Sequence, residues 1–124
     1  MNLSFFPDPN LAPKPREEIQ LESLDLAPYS DGRRVKVELT ITPFMPMDRP
    51  SLEISVLDED DNLVTSLSVV ETNIPVLDLT VHLKADGQPK GQYTFRVDLY
   101  YDQEDVQHSL QKSIRLPEDI PTTG

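Results

Sequence analysis

The acidic run Asp58-Glu59-Asp60-Asp61-Asn62 puts carboxylates at the first, third and fifth positions of a calcium loop. An EF-hand loop also needs Gly at its sixth position and a bidentate Glu at its twelfth. Here those positions hold Leu63 and Val69, so the run reads as a solvated hairpin turn and no metal site is expected. His82 and His108 are the only imidazoles and there is no Cys, so a transition-metal centre would have to recruit carboxylates. Both histidines read as solvated or edge residues. Nucleophilic catalysis needs a Ser or Thr beside a base and an oxyanion donor. Nine Ser are present, but with only four Gly in the chain none sits in a Gly-rich elbow, and phosphate-cradling loops fail for the same lack. Paired carboxylates could serve glycosidic chemistry, yet 22 acidic residues make any such pair uninformative. The chain is not expected to be an enzyme, and no cofactor is expected.

The most informative segment is the loop Thr42-Pro43-Phe44-Met45-Pro46-Met47-Asp48-Arg49-Pro50. Three prolines stiffen it, and Phe44, Met45 and Met47 put large apolar side chains into a connection that is ordinarily polar. Two readings follow. The three side chains form a rigid apolar ridge, joined by Ile74 and rimmed by Asp102, Glu104 and Asp105, which suits a protein partner with a groove and some basic residues. In the other reading, Phe44 and one Met fold inward and plug the open end of the core.

What positions these residues is written in the rest of the chain. Its 124 residues fit one domain, and 36 of them are Leu, Ile, Val or Phe, enough for a real core. Three Ala stand against ten Val, six Ile and eight Thr, which favours strands over helices. Apolar residues alternate through Val35 to Ile41, Leu52 to Val56, Leu77 to Leu83 and Tyr93 to Tyr101, with polar residues between them; this is the mark of strands with one dry face. Val106, Leu110, Ile114 and Leu116 supply a last strand. Ile19 and Leu21 are out of phase with Leu24 and Leu26, which a bulge near Glu22 and Ser23 would reconcile. Leu63 to Val70 carries apolar residues on both parities, so its facing stays open. Turn clusters separate seven strands, the spacing of a two-sheet antiparallel sandwich with Greek-key connections. Four prolines in the first fifteen residues make 1–16 an extended arm; 17–117 is the domain, and 118–124 is a flexible tail.

The run Leu77 to Leu83, then Asp86-Gly87, then Gly91-Gln92-Tyr93-Thr94-Phe95-Arg96-Val97, resembles the E strand, the corner and the F strand of immunoglobulin-like and fibronectin type III-like domains. The resemblance implies that Tyr93 is the corner tyrosine, its ring at the sandwich edge and its hydroxyl on upstream backbone. Phe95 stands where immunoglobulin domains place their second Cys, and no Trp marks the third strand. The resemblance therefore implies the architecture and carries no functional residues.

A net charge of −11 repels phosphate backbones and anionic lipid headgroups, so neither nucleic acid nor a membrane is an expected partner. The absence of Cys and of an apolar leader fits a soluble, cytoplasmic protein. These readings converge on an acidic, non-catalytic protein-binding or assembly module, with a partner at the loop end or self-association through the N-terminal arm. The alternative is a carbohydrate- or calcium-associated surface domain, with the contact formed by Tyr100 on a wet face and nearby acids.

Overall fold

Alternation of apolar and polar residues becomes two antiparallel sheets. The computed structural model describes residues 12–84 and 89–116. Residues 1–11 of the expected arm, Phe5 and Phe6 included, lie outside them, as do the corner 85–88 and the expected tail. A 3-10 turn, Arg16–Glu18, leads into strands β1 (Leu21–Pro28), β2 (Arg34–Ile41), β3 (Ser51–Leu57), β4 (Leu63–Val69), β5 (Val76–His82), β6 (Gly91–Asp102) and β7 (Asp105–Leu116). One sheet has the order β1-β2-β5 and the other β4-β3-β6-β7. Among the described residues no helix is long and apolar enough to cross a membrane.

The inward side chains recur at every second position, as a pleated strand requires. Val35, Val37, Leu39 and Ile41 of β2 face Leu52, Ile54 and Val56 of β3 and Phe95, Val97 and Leu99 of β6, and all of these are fully buried. Tyr93 is also buried; the corner upstream of it, 85–88, is outside the described residues. The out-of-phase start of β1 resolves as a bulge between Leu21 and Ser23, which lets Leu21 and Leu24 both turn inward. A second irregularity, between Val56 and Leu57 on the partner strand, explains the mixed parity of β4. Leu67 and Val69 pair with Ile54 and Leu52, and with Val64 they pack on the core, whereas Leu63 is left 62% exposed.

At the end of the β6–β7 hairpin the alternation breaks twice, between Leu99 and Tyr100 and between Tyr100 and Asp102. Leu99 pairs with His108 and Tyr100 with Val106, so Gln107 is the extra residue. Bulges of this kind bend a strand and re-aim its side chains. Two expectations are corrected by it. Val106 leaves the dry face and is exposed, while Tyr100, on the wet parity of β6, is buried. Tyr101 packs against the core.

One side of the sandwich is stitched by β7 side chains bonding to backbone groups in and just before β1. The Gln107 amide donates to the carbonyl of Ile19 at 2.7 Å and to that of Arg16 at 2.9 Å. The Leu21 N–H donates to His108 Nδ1 at 2.9 Å, and Lys112 Nζ donates to the Leu24 carbonyl at 3.2 Å. On the opposite side a gap of about 210 Å³ lies between β4 and β5, lined by Thr65, Leu67, Thr80, Val81 and His82 among others.

Candidate functional site

Two places in the fold could meet a partner or ligand. The first is the end where the β2–β3 loop sits. Pro50 accepts from the Thr72 N–H at 2.9 Å, and Arg49 Nη1 donates to Asn73 Oδ1 at 2.5 Å. The β2–β3 and β4–β5 loops are thereby brought together. The β6–β7 hairpin joins them through the Tyr101 hydroxyl, which donates to the Asp48 carbonyl at 2.6 Å. Arg16 pairs with Asp48 at 3.0 Å and lies 4.5 Å over the Tyr101 ring. Burial pushes the Tyr101 phenol above its ordinary pKa, with the Arg16 cation opposing, so the bond to Asp48 keeps its proton at neutral pH. The last residues of the arm pass the same loop: the Lys14 N–H donates to the Pro43 carbonyl at 2.9 Å, and Lys14 forms a parallel bridge with Phe44.

Within that frame the expected ridge divides. Phe44 is partly buried and packs against the core, as the plug reading expects of it. Met45 is 45% exposed and Met47 81%; neither plugs the core. Ile74 is also more than half exposed. Asp102, Glu104 and Asp105 are exposed on the β6–β7 turn, where Asp102 accepts from the Glu104 N–H at 3.0 Å.

The second place is the outer face of the sheet β4-β3-β6-β7. One register row crosses all four strands: Ser68, Glu53, Asp98 and Ser109 stand opposite one another in turn. Glu53 accepts from the Ser68 hydroxyl. Asp98 accepts from Ser109 Oγ at 2.6 Å and from Arg96 Nε at 2.9 Å. A cleft of about 480 Å³ opens beside this row, lined by Glu53, Ser68, Asp98, Tyr100, Gln103 and Val106. Reading the sequence placed Tyr100 and acids together on the wet face, but missed Glu53, Ser68 and Gln103. The available signal was an acid at an outward position in the middle of both β3 and β6; which acid faces which depends on register.

The remaining sequence candidates are held in turns and seams. Asp58 accepts from the N–H groups of Asp60 and Asn62, both at 2.9 Å, and these bonds, Asn62 foremost, lower its pKa. Asp61 takes φ of 63°, a left-handed conformation Asp tolerates. Glu59 reaches away to accept from the Gln92 N–H at 2.8 Å. Among the described residues no three His, Cys, Asp or Glu side chains are grouped to hold a metal ion. His82 is exposed and His108 is part of the β1–β7 seam.

No protein-family model matches the chain, and no curated protein does. Solved structures do resemble it. A glycosyl hydrolase family 2 member from Bacteroides cellulosilyticus superposes with a TM-score of 0.54 at 15% identity, over 78% of this chain and 14% of that one. The β-glucuronidase of Parabacteroides merdae gives 0.54 at 16% identity, over 79% and 13%. That of Bifidobacterium dentium gives 0.52 at 11%, over 78% and 17%. At such identities the likeness shows a shared all-β, two-sheet fold, one that spans less than a fifth of each of those longer chains.

Proposed function

We propose that this chain is a non-catalytic, immunoglobulin-like assembly module, which docks on a protein partner through the end carrying Met45, Met47 and Ile74. The observation that carries the reading is the contrast between fastened backbone and free side chains. Asp48 is held from three directions by Arg16, Tyr101 and the loop itself, its own N–H donating to the Met45 carbonyl at 2.8 Å. Arg49 is tied to Asn73. Met47, immediately before them, is nonetheless 81% exposed. A pre-ordered loop loses little conformational freedom on binding, and Met adapts to irregular partner surfaces. The acids of the β6–β7 turn supply a charged rim that favours a basic counterpart.

The strand order β1-β2-β5 against β4-β3-β6-β7, with Tyr93 buried at the start of β6, supports the Greek-key, fibronectin type III-like form of the fold. The similar stretches in the family 2 glycosyl hydrolase and the β-glucuronidases are small parts of long chains, which fits a module that works beside other domains. The experiment is photo-crosslinking from position 47, with position 66 on the outer face of β4 as control. A discrete protein adduct from position 47, absent from position 66 and lost when Met45 and Ile74 are changed to Ser, supports the reading. Equal labelling from both positions overturns it.

A further inference from the structure

The cleft on the outer face belongs to neither the loop end nor the core, and three of its features are unusual together. First, Glu53 and Asp98 are directly opposed on neighbouring strands, an arrangement that costs stability because like charges face each other. Second, each acid is already oriented by a hydroxyl, Ser68 on Glu53 and Ser109 on Asp98, so the carboxylates are fixed rather than free to swing apart. Third, Tyr100 is only 8% exposed and lines the cleft, yet its hydroxyl has no hydrogen-bond partner among the described residues. No fully buried side-chain oxygen among them is left unpaired. The Tyr100 hydroxyl is therefore not fully buried, in a residue that lines the cleft. Alternation along β6 puts Tyr100 on the same face as Asp98, and the extra residue Gln107 sets Val106 opposite it.

We infer that this cleft binds a neutral saccharide unit. Two fixed carboxylates accept hydrogen bonds from adjacent ligand hydroxyls, and the Tyr100 hydroxyl and Gln103 amide can both donate and accept. Val106 offers an apolar wall for the C–H face of a sugar ring. The volume, about 480 Å³, is within the ~300–1,000 Å³ of small-ligand sites. Uronic acids, phosphates and other anions are excluded by the opposed acids. A divalent cation is disfavoured because Asp98 is already bonded to Arg96 and Ser109 and the described residues supply no third acid or imidazole ligand. Stacking on Tyr100 plays no part, since the residue as a whole is only 8% exposed. The inference stands apart from the docking reading, which concerns other residues.

The test is an amide-shift titration of the full chain with methyl glycosides of glucose, galactose and mannose, alongside glucuronate, calcium and butylamine. At least one neutral glycoside should move the amides of Glu53, Ser68, Asp98, Tyr100, Gln103 and Val106 saturably. Tyr100→Phe should weaken that glycoside roughly threefold to tenfold, the loss of one hydrogen bond, with no lower melting temperature. Gln103→Ala, on an exposed turn, should weaken it similarly and guards against misfolding of the Tyr100 variant. No saturable shift with any neutral glycoside overturns the inference, as does a response to glucuronate, calcium or butylamine that matches or exceeds the best sugar.

Discussion

Phe44 and Met47 share one Pro-rich loop, and the structure assigns them opposite energetic roles. Phe44 packs against the core, whereas Met47 is 81% exposed. Truncating a fully buried Phe to Ala costs about 3–5 kcal/mol. Phe44 is partly buried, so Phe44→Ala should cost about half of that, roughly 2 kcal/mol. Met47→Ser removes a side chain that folding hardly covers and should stay within about 0.5 kcal/mol of zero. Urea unfolding followed by far-ultraviolet dichroism measures both. With a slope of about 1–3 kcal/mol per molar urea, the Phe44 variant should unfold near 1 M lower in urea while the Met47 midpoint hardly moves. Equal losses, or a larger loss for Met47, would refute the assignment and restore the reading in which a methionine closes the core.

Gly91 sits at φ of +94°, and a Cβ there would meet Glu59 Oε1 at 2.8 Å; Gly91→Ala should cost about 1–3 kcal/mol in urea unfolding from backbone strain, most of it retained when Glu59 is also changed to Ala. The Asp31 carboxyl accepts from the Arg33 N–H, the Arg34 guanidinium and the Arg34 N–H, which hold its pKa at about 2 against an ordinary 3.8. A folded value below the unfolded one means that this stabilisation is complete above about pH 4 and is lost as the pH falls through about 2; Asp31→Asn should therefore flatten the acid limb of stability against pH, and an unchanged limb would refute it. His108→Ala leaves the Leu21 N–H without its acceptor and should cost about 1–3 kcal/mol, with the Leu21 amide exchanging faster in native-state hydrogen exchange.

Much of the fold was legible because the period of two is a local property. Val35 to Ile41 or Leu52 to Val56 can be assigned a dry face without knowing their neighbours, and the phase slip between Leu21 and Leu24 announced its bulge. The bulges that matter for the cleft were not legible in the same way. Gln107 becomes the extra residue because of where β7 pairs with β6, and no change of type at Gln107 or Val106 signals it. Tyr100 was accordingly expected on an open wet face, and Val106 on the dry one. The row Ser68, Glu53, Asp98 and Ser109 was hidden for a related reason: each residue is an ordinary polar position on its own strand, and only register makes them neighbours. At the loop end the three prolines drew attention to the right segment. The division between Phe44 and the two methionines depended on where Tyr101, Arg16 and Asn73 reach in from other parts of the chain.

The seam between β1 and β7 has a mechanical consequence. Its contacts advance together along both strands, from Ile19 with Gln107 to Leu21 with His108 and Leu24 with Lys112, so the two strands run in the same direction. Tension drawn through the first residue of β1 and the last of β7 would load these side-chain clips in shear, sharing the force among them instead of peeling them one at a time. A sandwich joined this way resists stretching along the polypeptide with few bonds, and Gln107, His108 and Lys112 are the places where that resistance would be tuned.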